Sequence, residues 1–592
     1  MVRVRVALAV WDDGYRCGGS RERCLKSVGQ VPSRAGGRWE PAEADTPPGR
    51  WQQRWRTPAG EAVDVLTEPP IYPNRTDDNV QADRLAEGEA EFSTATLGKG
   101  AGISLAGRGL GSALTALQEI LLARLLGSQS YGVYSLGTAF LQILLIPATL
   151  GLNQGVIRFG APTWRTEPPR FREVLLKSIG FSAASASAIG LVLFLLAPWL
   201  GGAFFGKPAL VPVLRVIALC IPLAALLRVA AAATRVSLRM KYSVLSEDVL
   251  QPLVFVLAFL LLYAAGYRLG GALAALLLSF GLGLSLAAAF VIRLYRPQLA
   301  APRGAFPARA LLAFSLVTAA NAAVTLLISR VDRLVVGYFL PAGDVGIYQA
   351  ASQVAIVFTM IVGAFNVVLA PMVPDLYHRG QFDRLEELYR VGARWAIYVS
   401  LPVFISVVIL RTELLGIVFG EEYMRGAAPM VILSLGQMVN VATGGVGFLM
   451  MMTGRQQKLL TISAVVLVGN LILSIALTPR FGLVGAATAT ALTVSALFAW
   501  AILDVRKAYR IWPYDRRLVK GAIAGIAAAL VIGVASRVWA VSSVWHLLVV
   551  GALAVAAFGG ALLLLGLEQE DRVFAGQIAE RLLPGRSPRD QR

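Results

Sequence analysis

The sequence predicts an all-α integral membrane protein of about fourteen transmembrane helices, arranged as two pseudo-symmetric six-helix lobes plus two C-terminal helices. Three observations lead there: the composition, the length of the apolar runs, and an internal repeat. Of 592 residues, 56% are hydrophobic and 15% charged, whereas a soluble domain carries about 25% charged residues. No soluble core could bury that much apolar surface. It comes instead in runs near the ~20 residues that carry a helix across a bilayer.

In chain order the spans are 98–123, 132–157, 178–200, 209–233, 249–267, 270–292, 311–331, 346–373, 395–416, 428–452, 459–478, 482–503, 520–539 and 543–567. Nine of them contain no Asp, Glu, Lys or Arg, among them 132–157 and 428–452. Helices are the economical solution, because lipid offers no partners to backbone N–H and C=O groups. The alternation of a membrane barrel is missing. The stretch 381–394, "QFDRLEELYRVGAR", reads as an interfacial connector helix.

Charge supplies the orientation. With residue 97 inside, the inner loops collect twenty-five basic residues, from Arg158 to Lys520, and the outer loops eight. The positive-inside rule then places both termini in the cytoplasm of a multi-pass cell-membrane protein. The net charge of +19 is thus accounted for without nucleic acid. Residues 1–96 hold thirteen basic and fifteen acidic residues and are rich in Pro and Gly. They read as a disordered cytoplasmic extension, as a regulatory tail or, the favoured reading, a dispensable extension or a start codon placed too early, and 568–592 as a cytoplasmic tail. Cys17, Cys24 and Cys220 have neither disulfide nor metal-ligand spacing, so no metal and no cofactor is expected.

Residues 121–137, "LLARLLGSQSYGVYSLG", and 335–351, "VVGYFLPAGDVGIYQAA", align at an offset of 214, matching Gly132-Val133-Tyr134 to Gly346-Ile347-Tyr348. The same offset lays the charged loop 158–177 over 373–391. Two six-helix lobes follow, 97–295 and 308–507, with two extra helices in 518–567. Six is even, so the lobes share an orientation, as in transporters that rock two halves about a central site.

The stretch 123–159, "ARLLGSQSYGVYSLGTAFLQILLIPATLGLNQGVIRF", resembles the opening of the bacterial and archaeal polysaccharide-biosynthesis flippases. Residues 329–351, "SRVDRLVVGYFLPAGDVGIYQAA", are similar to their seventh helix, and 420–460 with 477–492 to their C-terminal domain. The resemblance runs from about residue 97 to 507 and leaves the first 96 without counterpart. It implies the fold of the multidrug/oligosaccharidyl-lipid/polysaccharide exporter superfamily. It also implies that the chain moves a polyprenyl-diphosphate-linked oligosaccharide from inner to outer leaflet, for cell-surface polysaccharide biosynthesis. The partners are then the lipid-linked glycan, membrane lipid and glycan-assembly enzymes, and the chain acts as a monomer.

An anionic headgroup crossing ~30 Å of hydrocarbon needs a wet, cationic cavity. Charges inside spans are costly and face such cavities. Arg suits diphosphate because its fork grips two oxygens. Arg108 and Glu119 stand eleven residues apart, close to three turns, so both project from one face. Asn321 and Asp332 repeat that spacing in the seventh helix, beside Arg330 and Arg333. Arg108, Arg330 and Arg333 are expected to hold phosphate, with Glu119 and Asp332 positioning them or titrating with a coupling cation. Arg215 is a further cavity candidate. Against this, Arg330 and Arg333 lie near the helix end, where long side chains snorkel, and Asp332 could simply neutralise them. Arg124 reads as an interfacial anchor and Arg228 as inner rim.

Enzyme readings fare badly. After residue 97 no extramembrane segment can house a catalytic domain, and no phosphate-cradling Gly-rich motif with Lys-Ser/Thr occurs. The alternative is a multidrug/cation antiporter of the same superfamily, which would want acids in its cavity; Glu119 and Asp332 are the intramembrane acids the sequence offers. A scaffold recruiting glycosyltransferases rests on loop charge alone.

Overall fold

The computed structural model describes residues 38–40, 51–56, 62–67, 94–302, 304–370, 372–539 and 541–566. They fall into two units, Met1–Thr94 and Ala95–Arg592. In the first unit, β1 (Arg38–Glu40), β2 (Trp51–Arg56) and β3 (Ala62–Thr67) form an antiparallel sheet in that order, with Trp39 opposite Trp55 and Trp55 opposite Val63. These segments lie within the stretch 1–96, and their Trp, Val and Thr suit a pleated strand. The remainder of that stretch and the tail 568–592 lie outside the described residues.

The second unit is helical. Its elements are α1 (Thr94–Thr149), α2 (Leu152–Gly160), α3 (Pro168–Pro198), α4 (Leu210–Arg235), α5 (Lys241–Ala264), α6 (Arg268–Ala300), α7 (Ala308–Phe339) and α8 (Ala342–Leu369). Then come α9 (Met372–His378), α10 (Phe382–Ile409), α11 (Arg411–Val418), α12 (Ala427–Ala442), α13 (Val446–Met452), α14 (Gln456–Tyr509), α15 (Leu518–Val538) and α16 (Val544–Leu564). Among the described residues eleven helices are long and apolar enough to cross a membrane, and a further pair, Glu421–Ala442 with Val446–Met452, qualifies together with a 41° bend.

Two elements are too long for one crossing. α1 has 56 residues and α14 has 54, about 80 Å each if straight. Both turn back on themselves. Asn470 Nδ2 donates to Thr493 Oγ1 at 2.8 Å although 23 residues separate them, about 35 Å of straight helix. Likewise the Tyr131 hydroxyl reaches back to Glu119. The reversals sit at Gly127 (φ 74°) and Gly482 (φ 58°), in conformations that a Cβ would strain. The described residues thus hold eleven crossing-length helices, or twelve with the bent pair, two of them folded back as hairpins.

Elsewhere the boundaries shift. The expected connector at 381–394 is the first part of α10 and runs unbroken into the ninth span. α5 begins at Lys241 rather than near 249, through a π-helical turn at Val244–Leu250. Pro252 follows that turn. Its ring lacks an N–H and crowds the carbonyl four residues back, a reason for a locally widened helix.

In the N-terminal half α3 packs on α4, and α6 on α4 and α5. In the C-terminal half α12 is enclosed by α8, α10 and α14, while α14 also packs on α7. α15 and α16 pair with each other and lie on α10. They are tied there by the buried Arg394, whose Nη1 meets Asp515 Oδ2 at 2.9 Å, and by the Tyr398 hydroxyl donating to Arg517 O at 3.0 Å.

The repeat is visible as a reciprocal contact. A Cβ on Gly132 would lie 1.8 Å from the carbonyl oxygen of Ala342, and one on Gly346 would lie 2.2 Å from that of Ser128. Ser128 and Ala342 are themselves 214 apart, so each half offers a glycine to the other's equivalent carbonyl. Tyr134 and Tyr348, two residues on, are both fully buried. Gly132→Ala or Gly346→Ala should therefore force the halves apart here and destabilise the purified protein by about 1–3 kcal/mol. Thermal unfolding in detergent checks this, with Gly180→Ala, which has nothing within 4 Å, as the neutral comparison.

Candidate functional site

Between the two halves lies a cavity of about 770 Å³, lined by α1, α5, α7, α8, α10 and α11. α7 separates it from a second cavity of about 510 Å³, enclosed by α7, α8, α12 and α14. Arg330 and Arg333 line both cavities.

Four of the seven sequence-predicted residues meet in the central cavity: Arg108, Glu119, Arg330 and Arg333. The one-face spacing of Arg108 and Glu119 thus puts both on its wall. Asp332 lines the second cavity instead, since it is one or two residues off the arginines and points to the other side of α7. Asn321 lines neither; it is exposed, and its Nδ2 donates to Val317 O of its own helix at 3.3 Å. Arg215 is likewise exposed and away from both, its guanidinium 5.5 Å from the Phe194 ring centre. Helical spacing alone cannot say which face of a helix meets the other half.

Arg333 does not snorkel: it is 3% exposed. Its Nε and that of Arg330 are buried and have no hydrogen-bond partner among the described residues. The neighbouring carboxylates are otherwise engaged. Asp332 accepts from the Tyr348 hydroxyl at 2.8 Å and from the backbone N–H of Arg333 at 2.8 Å. Glu119 accepts from the Tyr131 hydroxyl and from Gln349 Nε2, the latter at 3.2 Å across the two halves. The cavity therefore contains buried cationic groups with donor capacity to spare. Buried charge is expensive unless paired and hydrogen-bonded, and an anion with several acceptor oxygens supplies both.

Sequence reasoning missed Glu247 and Asp248, which also line the central cavity. They sit on the π-helical turn of α5. Glu247 pairs with Arg235 at 2.9 Å and with Arg228 at 4.0 Å, so Arg228 does more than edge a rim. Asp248 lies in the electrostatic reach of Arg108 and Arg235. The available signal was local: Ser246-Glu247-Asp248 just ahead of Pro252 and an apolar run.

At the end of the bundle where α1 reverses, the cavity is closed by contacts across the halves. Arg124 donates from Nε to Val418 O at 2.8 Å and from Nη2 to Ile417 O. Glu422 accepts from the Ser128 N–H at 2.9 Å and from its hydroxyl at 2.7 Å. The Tyr423 hydroxyl donates to Ala123 O at 2.8 Å. Lys207, in the loop before α4, donates to Gly337 O, and burial holds its ammonium below the usual lysine range. Arg124 is thus a clasp on two carbonyls as well as an end-of-helix cation.

A family model described as polysaccharide biosynthesis protein matches residues 121–428, just over half of the chain. The chain belongs to the polysaccharide biosynthesis protein family. Among its relatives are a probable low-salt glycan biosynthesis flippase and a probable flippase of Haloferax volcanii. The first is 29% identical over 168 residues, 28% of this chain and 35% of the relative; the second is 23% identical over 187 residues, 31% and 39%. The chain therefore spans well under half the length of these relatives. Among solved structures, the lipid II flippase MurJ in an inward closed conformation superposes with a TM-score of 0.60 at 14% identity, covering 78% of this chain and 97% of MurJ. An inward-facing multidrug resistance MATE transporter of the MOP superfamily superposes at 0.54 and 14% identity, covering 69% and 98%. At those identities the likeness is one of fold.

In this family member the clasp yields a direct expectation. Arg124→Ala releases the carbonyls of residues 417 and 418, so hydrogen–deuterium exchange over 411–426 should rise several-fold while that of α15 is unchanged. Equal exchange in both segments would show that Arg124 holds nothing shut.

Proposed function

We propose that the protein carries a polyprenyl-diphosphate-linked oligosaccharide from the inner to the outer leaflet by alternating access between its two halves. The observation that carries this reading is the pair Arg330, half-buried, and Arg333, buried, in the central cavity, whose Nε atoms are both buried and have no hydrogen-bond partner among the described residues. A diphosphate is acceptor-only and doubly anionic, so it satisfies donors that the protein leaves open. Arg108, exposed in the same cavity, provides a station for the headgroup nearer the other end of α1. The prenyl chain stays in lipid while the head travels through the cavity.

With the orientation given by the basic loops, the clasped end faces outward and the headgroup enters from the cytoplasmic side. Family membership and the relatives described as flippases support the flippase reading. The cation-antiporter alternative draws on the carboxylates Glu119, Glu247 and Asp248 in the cavity wall. It is the weaker reading because Glu247 is already paired with two arginines and Glu119 already accepts two hydrogen bonds.

Replacement of Arg108 or Arg330 by Ala should lower glycan export at least about tenfold, the scale of one charge-assisted hydrogen bond, with membrane insertion intact. The measurement is surface glycan together with the lipid-linked intermediate retained on the inner leaflet. Normal export by both variants would overturn the assignment. Retention of an organic cation in a deletion strain, with no glycolipid building up, would favour the antiporter.

A further inference from the structure

The cavity wall that holds the arginine pair also holds two amide oxygens that nothing among the described residues satisfies. Gln349, on α8, is 3% exposed, and its Nε2 donates to Glu119. Because a carboxylate only accepts, that bond orients the amide and turns Oε1 away from Glu119. Oε1 is buried and has no partner. Gln142, on the second arm of α1, also has a buried Oε1 without a partner. Both residues line the same cavity as Arg330 and Arg333.

Buried acceptors are rarely left unmet without reason, and phosphate cannot meet these, since it offers only acceptors. The missing group is a donor held close to the anion. Resting on the reading of the substrate as a diphosphate-linked glycan, the chemistry narrows. The anomeric carbon of the first sugar carries the phosphate, and the next carbon carries a hydroxyl or an acetamido N–H, the nearest sugar donor to the phosphate oxygens. We infer that Gln349 and Gln142 read this first sugar, accepting a hydrogen bond from the donor at its second carbon while Arg330 and Arg333 hold the adjoining phosphate. Glu119 is the positioning residue that fixes which end of the Gln349 amide faces the sugar.

The test uses the full chain in lipid nanodiscs and three probes: polyprenyl diphosphate without sugar, the same lipid bearing glucose, and the same lipid bearing 2-deoxyglucose. The wild-type protein should bind the glucose probe about tenfold more tightly than the 2-deoxy probe, about 1.4 kcal/mol. In Gln349→Met that ratio should collapse to about one. If Gln349→Met fails to fold, Gln142→Leu reads the same ratio from the other wall. Equal binding of the two sugar probes by the wild type, or a preserved ratio in the variants, overturns the inference while leaving the diphosphate reading in place. Failure to bind any of the three probes overturns both.

Discussion

Charge removed from water and not fully answered is the constraint around which this molecule is arranged. Arg333 is almost completely buried, Arg330 lies one turn away on the same helix, and neither has its hydrogen-bonding capacity filled. In a low-dielectric interior such groups are tolerated only if surroundings or ligand compensate them. The adjacent carboxylate does so partially, since Asp332 is committed to Tyr348 and to the backbone of Arg333. α7 consequently has to run between two cavities instead of through a packed core, and it spans the gap by packing on α14 of its own half and on α2 of the other.

The two halves use one backbone plan for different chemistry. At the repeat offset, Tyr134 corresponds to Tyr348, Gln118 to Asp332, and Glu119 to Arg333. Glycines at the equivalent position let the halves meet at backbone distance, which needs no charge at all. The charges were then free to diverge: an acid in the first half faces the same cavity as an arginine in the second. The resulting wall is mixed in charge, with α5 supplying Glu247 and Asp248, α1 supplying Arg108 and Glu119, and α7 supplying Arg330 and Arg333.

Closure at the clasped end relies on weak, separable interactions. Arg124 grips carbonyls, Glu422 accepts from Ser128, and Tyr423 reaches Ala123. Each is a single hydrogen bond or fork between halves, worth about 0.5–3 kcal/mol. Such contacts hold one state yet yield to a ligand whose differential affinity is modest. The glycine contact beneath them is tight but small.

Composition and run length were sufficient for the class of protein, because no aqueous fold can hide that much apolar side chain. The repeat at offset 214 was legible from Gly132-Val133-Tyr134 and Gly346-Ile347-Tyr348, and so were Arg108 and Glu119 as neighbours on one face, since helical spacing is set by covalent geometry. What spacing cannot report is which face meets which partner. Asn321 and Asp332 share the same eleven-residue interval, yet Asn321 is exposed and Asp332 belongs to a different cavity, because only packing orients a helix about its axis. Glu247 and Asp248 lie on a π-helical turn and line the site, and Gln349 gained its meaning from a hydrogen bond to a residue 230 positions earlier. Those relations are set by distance in space, which a linear pattern of residue types does not contain.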